Sequence, residues 1–310
     1  MPVDPSIQVL LDSLAGTDTP DLSEQSVEEA RAMMALLTLV DGEPEPVDDV
    51  TTRTIPGPAG DIPVRIYRNR SERAQPVLVW YHGGGWVIGD LESGDPTARK
   101  LANRSGAVVV SVDYRLAPEH PFPAAVDDCW AALEWVAANA AEIGGDPARV
   151  AIGGDSAGGN LAAVVAIALR DADHLPLRLQ LLIYPATDQR RGWPSHTSNG
   201  QGYLLTADTM DYFHDHYLPD KAQDLDWRAS PLLHPDHAGL PPAFVLTAGY
   251  DPLRDEGLQY AQKLRDAGVP VEVLLEEGQI HQMHSWAGAF SAGPRMLERG
   301  AQALRRALAA

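Results

Sequence analysis

The segment at residues 154–158 carries a serine in a pattern that can make its hydroxyl reactive. It reads Gly-Asp-Ser-Ala-Gly, a G-x-S-x-G pattern with Ser156 at its centre. The apolar run 150–152 precedes it and an Ala- and Leu-rich stretch follows it, so the serine lies in a strand-turn-helix setting. A sharp turn there exposes the hydroxyl, and the glycines leave room for the neighbouring backbone. The pattern predicts a nucleophilic serine; the alternative is a glycine-rich packing turn with an inert serine.

A serine is a weak nucleophile unless a base removes its proton and a carboxylate orients that base. His281 and His284 follow the last predicted strand, and we expect His281 to be the base because it lies in the loop directly after that strand. The acid should lie between serine and histidine in chain order. Asp251 and Asp188 each follow a predicted strand, and Asp251 is favoured because a proline near a helix start fixes its loop.

Three successive glycines follow another predicted strand, in the segment His-Gly-Gly-Gly-Trp at residues 82–86. The N–H groups of Gly83 and Gly84, with that of Ala157 at a helix N-terminus, are predicted to stabilise an oxyanion. His82 is predicted to orient this glycine loop. The alternative is a phosphate-binding loop, but neither the GxGxxG nor the GxxxxGK[ST] spacing is present.

The charge balance excludes one class of partner. The chain has 310 residues, with 24 Lys and Arg against 43 Asp and Glu, which gives a formal net charge of −19. A nucleic-acid-binding protein needs a basic surface, and no basic cluster here exceeds a pair of arginines. The longest apolar stretches, such as residues 161–169, fall far short of the ~20 residues that cross a bilayer. With no pattern typical of a signal peptide at the first residues, the sequence predicts a cytoplasmic protein without membrane or nucleic-acid partners.

Metal binding and thiol chemistry are not expected. The single cysteine, Cys129, belongs to an apolar helical pattern and is predicted to be a buried helix residue. The histidine pairs 214/216 and 234/237 have spacings that a metal could use, but no cysteine or clustered carboxylate accompanies them. The sequence therefore predicts no metal site.

From about residue 47 onward the predicted strands and helices alternate regularly. Short β-branched runs alternate with Ala- and Leu-rich amphipathic stretches, which predicts an α/β fold with a mostly parallel central sheet flanked by helices. The predicted strands are 76–82, 107–113, 149–153, 177–184, 243–249 and 271–276. The predicted helices are 94–105, 123–138, 156–170, 254–267 and 292–309. The runs 47–56 and 62–67 predict an antiparallel hairpin on one sheet edge.

Two segments depart from this alternation. Residues 1–45 form a predicted helical segment, and residues 188–240 form a long insertion that is rich in aromatics, proline and histidine. Such an insertion is more typical of a lid or cap than of a structureless loop. The core is then divided into a first part, 46–187, and a second part, 241–310.

The two cap segments are predicted to line a pocket for an acyl chain together with Trp86, because they carry apolar residues at helical spacing. Asp155 is predicted to hydrogen-bond within the turn and to lie at the edge of the same site. The insertion contributes Tyr203, Leu204, Met210 and Phe213. The alternative is that these side chains only pack the cap onto the core.

Five motifs occur together and in order, and through them the chain resembles the bacterial hormone-sensitive-lipase-like esterases. They lie at residues 82–86, 114–119, 154–158, 251–256 and 278–281. The motif at 114–119 is predicted to be shaped by a contact between Arg115 and Glu119 or by neighbouring backbone hydrogen bonds. The resemblance covers most of residues 47–310, in the branch with Asp before the nucleophile.

The resemblance implies an α/β-hydrolase fold with a helical cap, the triad Ser156, His281 and Asp251, and no cofactor. It also implies hydrolysis of short- to medium-chain acyl esters of small molecules and makes a homodimer plausible. One departure is visible: where the family usually has His-Gly-Phe, residues 281–283 read His-Gln-Met. This departure affects the shape of the site beside the base.

Two other functions remain open from the residues. An amidase or peptidase would use the same triad, since only the leaving group differs. A small-molecule receptor is also possible, because some plant hormone receptors resemble this family but have lost the catalytic histidine; here His281 is present. A dehalogenase-type hydrolase would need a carboxylate where this turn has Ser156.

Overall fold

The computed structural model describes residues 1–16, 20–39, 42–286 and 290–309. Within these ranges the strands are β1 Asp49–Gly57, β2 Gly60–Arg68, β3 Gln75–Tyr81, β4 Val108–Val112, β5 Gly145–Asp155, β6 Gln180–Ile183, β7 Ala243–Tyr250 and β8 Val271–Ile280. They form one sheet in the order β1-β2-β4-β3-β5-β6-β7-β8. The β1–β2 and β2–β4 pairs are antiparallel, and all later pairs are parallel.

The helices precede the sheet, alternate with its strands and follow its last strand. In the same ranges they are α1 Pro5–Ala15, α2 Val27–Thr38, α3 Leu91–Ser105, α4 Ala124–Asn139, α5 Ala157–Asp171, α6 Pro194–Ser198, α7 Ala207–Tyr217, α8 Arg254–Asp266 and α9 Ala292–Ala307. Short 3-10 turns lie at Leu22–Glu24, Ala140–Ile143, Lys221–Leu225 and Pro231–Leu233. Among the described residues, a helix of sufficient length and hydrophobicity to cross a bilayer is absent.

The two faces of the sheet bury separate layers of apolar side chains. Along β3, Val77 and Val79 point into the layer that α4, α5 and α8 cover, whereas Leu78 and Trp80 point into the layer that α3 and α9 cover. This alternation follows from the period of two in a strand. The parallel strands are nearly continuous apolar runs because helices cover both faces. The predicted α/β architecture is therefore confirmed.

One predicted boundary is wrong in a way that matters for the site. The last strand was expected to end at residue 276, with a loop before His281, but β8 continues to Ile280. Its final residues pair with β7, where Tyr250 lies opposite Ile280. His281 therefore follows the strand directly, which fixes its position relative to the sheet.

The N-terminal segment and the insertion contact each other above the sheet. The hydroxyl groups of Thr206 and Thr209 donate to the carboxylate of Asp21, at 3.2 and 3.0 Å. Helix α2 begins with a capping box in which Ser26 and Glu29 hydrogen-bond reciprocally. These polar contacts connect two segments that are far apart in the sequence.

Arg31 connects helix α2 to the core. Its guanidinium forms a bidentate ion pair with Glu119, both contacts at 2.8 Å, and donates to the carbonyl oxygen of Val87 at 3.0 Å. The predicted contact between Arg115 and Glu119 is therefore wrong. Arg115 instead pairs with the buried Asp128 of α4, at 2.7 and 2.8 Å.

Candidate active site

Ser156 lies in the tight turn between β5 and α5. It has a φ of 54° and a ψ of −118°, a backbone conformation that residues other than glycine rarely adopt. Its N–H donates to the carbonyl oxygen of Ile183 in β6 at 2.9 Å. A Cβ at Gly158 would collide with the carbonyl oxygen of Tyr81, and a Cβ at Gly154 would collide with Gly158 itself. The glycines are therefore required by the close approach of strand, turn and helix, as the sequence pattern predicts.

Three predicted residues meet at the carboxyl edge of the sheet. The Oγ of Ser156 lies 3.0 Å from Nε2 of His281, and Nδ1 of His281 lies 2.7 Å from Oδ2 of Asp251. Asp251 is completely buried, and its other oxygen accepts the N–H of Leu253 at 2.8 Å. This arrangement can move a proton from the serine hydroxyl to the imidazole, with a buried carboxylate that orients the ring.

The alternative base and acid lie elsewhere. His284 is buried and hydrogen-bonds to the hydroxyl of Tyr184, and burial lowers its pKa to about 3. Asp188 is buried and pairs with Arg190 at 2.9 Å. In the described part of the chain neither side chain forms a hydrogen bond with Ser156. His281 and Asp251 are therefore the residues that hydrogen bonds connect to Ser156, whereas His284 and Asp188 have other partners.

The loop that carries Asp251 is held by helix α6. The amide Nδ2 of Asn199 donates to the carbonyl oxygens of Asp251 and Gly249, at 3.0 and 3.2 Å. The hydroxyl of Ser195 donates to the carbonyl of Pro252 at 2.6 Å. Sequence reasoning missed Asn199 and Ser195, and the sequence carries no signal for them, because α6 lies in the mixed insertion.

A second buried contact connects the end of β6, the insertion and helix α8. One carboxylate oxygen of Glu256 accepts the N–H groups of Thr187 and Asp188, at 2.6 and 3.2 Å. The other lies 2.8 Å from Nε2 of His196. Burial raises the pKa of Glu256 from its usual range, while these partners oppose the increase. Glu256 fastens the insertion close to the acid loop.

The glycine loop differs from the prediction at one donor. The N–H of Gly83 donates to Oδ1 of Asp155 at 3.1 Å, so the prediction that it is free to bind an oxyanion is contradicted. In the described residues, the N–H groups of Gly84 and Gly85 have no hydrogen-bond partner within the protein, and the N–H of Ala157 is the first of α5. The prediction failed because the sequence alone does not show that the carboxylate of Asp155 lies within hydrogen-bond distance of the N–H of Gly83.

Asp155 and His82 both hold the glycine loop. Burial raises the pKa of Asp155 to about 7, and the N–H of Gly83 and the nearby His281 counteract this increase. The Nδ1 of His82 lies 2.7 Å from the carbonyl oxygen of Gly83, and its ring stacks on Tyr114 with centroids 4.4 Å apart. The structure therefore places His82 in contact with the loop that it was predicted to orient.

A cavity of about 560 Å³ opens above Ser156, and both cap segments contribute to its walls. The alternative, that the apolar cap residues only pack the cap onto the core, does not account for a cavity that these residues line. Tyr203 is the exception, since its ring packs on Tyr250 at 4.9 Å and is not part of the cavity wall. The other predicted lining residues, Trp86, Asp155, Leu204, Met210 and Phe213, lie in the wall. So do Leu10, Leu11, Leu14, Met33, Met34 and Leu37 of the N-terminal segment.

The histidine pairs that could have bound a metal have other partners. His214 lies 2.7 Å from Asp224, and His234 lies 3.2 Å from Asp171. Over the described ranges there is no group of three His, Cys, Asp or Glu residues arranged to hold a metal ion. Cys129 is buried in α4, and burial raises the pKa of its thiol.

The chain is similar to known ester hydrolases in sequence and in structure. A family model described as alpha/beta hydrolase fold matches residues 78–285. The carboxylesterase NlhH of Mycobacterium tuberculosis is 46% identical, over 99% of this chain and 96% of its own length. The carboxylic ester hydrolase LipN of the same organism is 45% identical, over 95% of this chain and 81% of its own length. A hyperthermophilic esterase from the archaeon Pyrobaculum calidifontis superposes with a TM-score of 0.94 at 40% identity, over 99% of each chain.

Proposed function

Since the chain belongs to the hormone-sensitive-lipase-like family of α/β hydrolases and is a carboxylic ester hydrolase, we propose that Ser156, His281 and Asp251 are its catalytic triad. The observation that carries this proposal is the continuous hydrogen-bonded path from Oγ of Ser156 through His281 to the buried Asp251. The chain order serine, aspartate, histidine agrees with this fold.

In the first half of the reaction, Nε2 of His281 accepts the hydroxyl proton as Oγ of Ser156 forms a bond to the ester carbonyl carbon. The carbonyl π electrons move to the oxygen and give a tetrahedral oxyanion. Asp251 holds the imidazole with its Nδ1 proton directed at the carboxylate and stabilises the imidazolium. When the oxyanion collapses, the C–O bond to the alcohol breaks and His281 returns its proton to the leaving oxygen.

In the second half, water replaces the alcohol. His281 accepts a proton from this water as its oxygen attacks the acyl carbon of the Ser156 ester. Collapse of the second tetrahedral species breaks the bond to Oγ, which takes the proton back from His281. The carboxylic acid is released and the serine is regenerated.

The oxyanion donors that we propose are the N–H groups of Gly84, Gly85 and Ala157. Gly83 is replaced in this set because Asp155 already accepts its N–H. Asp155 thereby positions the loop whose next two residues, Gly84 and Gly85, line the cavity. Loss of one such donor raises the barrier by about 2.7–4 kcal/mol in a well-formed oxyanion hole.

The substrates that we propose are short- to medium-chain acyl esters of small molecules. The mainly apolar lining of the cavity supports this choice, because each buried methylene contributes about 0.8 kcal/mol until the cavity is full. Residues 1–45 and 188–240 together act as the cap in this proposal, with residues 46–187 and 241–310 as the core. Rates for a series of acyl esters and matched amides test it: kcat/KM should rise with chain length and then fall, and amides should react far more slowly. Amide turnover equal to ester turnover would contradict the proposal.

A homodimer and a cytoplasmic location complete the proposal. The dimer rests on the family resemblance, and the location is supported by the one cysteine, Cys129, which is a buried thiol suited to a reducing compartment. Light scattering on a sizing column should give twice the mass of one chain, and the mass of one chain would contradict the dimer.

A further inference from the structure

Strained backbone is concentrated around the cavity. Outside glycine, the described residues with a φ in the left-handed region are Trp86, Ser156, Asp173, Tyr184, Leu204 and Gln282. All of these except Asp173 line the cavity. Such conformations cost free energy and persist mainly where a function requires the side chain at that place. Ser156 has such a function in the proposed mechanism. Gln282 has a similar backbone conformation but no role in that mechanism.

Gln282 follows His281 directly and has a φ of 73°. Glycine adopts this conformation without strain, whereas a glutamine pays a steric cost for its Cβ. A glutamine in this position therefore places a long amide side chain beside the base in spite of an unfavourable backbone.

The amide of Gln282 has hydrogen-bonding capacity that the protein does not use. Its Nε2 has one contact, with the sulfur of Met34 in α2 at 4.0 Å, and a thioether is a weak acceptor. Among the described residues its Oε1 has no hydrogen-bond partner. The side chain is half-buried in the wall of a mainly apolar cavity. A ligand in the cavity excludes solvent from this amide, so a ligand that supplies a hydrogen-bond acceptor for Nε2 is favoured over one that leaves the group unpaired.

We propose that Gln282 determines specificity by hydrogen-bonding a second oxygen of the substrate, one that is separate from the reacting ester group. The preferred substrates are then esters that carry a ketone or ether oxygen, which can accept from Nε2 of Gln282, within reach of the residue next to His281. This oxygen can belong to the acyl chain or to the alcohol. The proposal rests on the proposed function, because it assumes that the ester reacts at Ser156.

Two matched substrate pairs separate these sources. For the acyl side the pair is para-nitrophenyl pentanoate and para-nitrophenyl levulinate, which differ by one ketone oxygen. For the alcohol side the pair is butyl butyrate and methoxyethyl butyrate, in which an ether oxygen replaces one methylene. The measured quantity is the ratio of kcat/KM within each pair, and comparing each variant with wild type cancels intrinsic differences in reactivity.

The variants are Gln282→Met, which keeps the length and removes the amide, and Gln282→Gly, which removes the side chain and the strain. Each should lower the preference for the oxygen-bearing ester by about two- to tenfold in one pair, mainly through KM, as expected for one neutral hydrogen bond. Gln25→Met is the matched control, because Gln25 also lines the cavity but its amide donates to the carbonyl of Pro20 at 3.2 Å. It should leave both ratios unchanged.

A decrease in the first pair assigns the oxygen to the acyl chain, and a decrease in the second assigns it to the alcohol. If both ratios stay at the wild-type value in both Gln282 variants, the proposal is overturned, even when both substrates slow down equally. Because glycine suits the backbone at this position, the melting temperature of Gln282→Gly should be at least that of wild type. Turnover of the plain pentanoate ester, and its loss in Ser156→Ala, tests the proposed function separately.

Discussion

Asp251 is the residue whose role depends most clearly on one hydrogen bond, the 2.7 Å contact with Nδ1 of His281. In Asp251→Asn the amide favours the wrong imidazole tautomer, so kcat should fall by roughly 10⁴-fold, as for the equivalent change in a well-studied triad. Ester turnover measures this loss. Asp188→Asn is the control. Asp188 pairs with Arg190, so this variant should retain most of the activity. Similar losses in both variants would leave Asp251 without its proposed role.

Asp155 gives the site a pH-dependent contribution to stability. Burial raises the pKa of its carboxyl from 3.8 to about 7 in the folded protein, so the folded state holds the proton more tightly than the unfolded state. Stability from this group is therefore full below about pH 4 and is lost progressively as the pH rises toward 7.

Asp155→Asn tests this contribution because an asparagine oxygen can still accept the N–H of Gly83. The variant should flatten the dependence of the unfolding free energy on pH between about pH 4 and 7, by at most about 4 kcal/mol over that range. Denaturant titrations at several pH values provide the measurement. A slope as steep as that of wild type would mean that Asp155 is ionised throughout.

The limits of sequence reasoning at this scale concern contacts over long distances. Ser156, His281 and Asp251 could be predicted from local patterns and chain order. The hydrogen bond from Gly83 to Asp155 joins residues 72 positions apart, and only the folded sheet brings them together. The prediction of the partner of Arg115 was wrong for the same reason, because the partner in the structure, Asp128, lies on helix α4.

Helix α6 is the element that fixes the acid loop. Asn199 donates to two carbonyl oxygens of that loop, at Asp251 and Gly249. Asn199→Ala should lower kcat about tenfold with little change in KM, because a small displacement of the acid misaligns the imidazole. Gln262→Ala is the control, because this exposed side chain hydrogen-bonds to Asp266 on α8 and to no other described residue. Unchanged kcat in a folded Asn199→Ala protein would show that α6 does not position the acid.

At the element level, the regular part of the chain could be predicted and the insertion could not. The turn at 154–158 was predictable because its glycines meet a steric requirement that the structure also shows. Strand β8 was predicted too short, since Gly278 and its polar neighbours are typical of a loop but here form part of a sheet edge. Helix α6, five residues at Pro194–Ser198, has no periodic pattern that would indicate it.

At the scale of the whole molecule, the cavity exists only where two distant segments meet the core. The sequence predicts that residues 1–45 pack over the core, because they carry more apolar surface than isolated helices leave in water, and that the insertion 188–240 joins them as a cap. It could not predict which side chains face inward, and Tyr203 packs on Tyr250 instead. Contacts that fix the position of helix α2, such as those of Arg31 with Glu119 and Val87, are between residues far apart in the sequence.

We expect the fold to present one activated nucleophile, Ser156, to the cavity. An organophosphate that mimics the tetrahedral intermediate tests it most directly, with the adduct located by peptide mass spectrometry. We expect one adduct per chain, on Ser156, with loss of ester turnover in proportion to labelling and no adduct in Ser156→Ala. An adduct on another residue, or full labelling and turnover in Ser156→Ala, would contradict it.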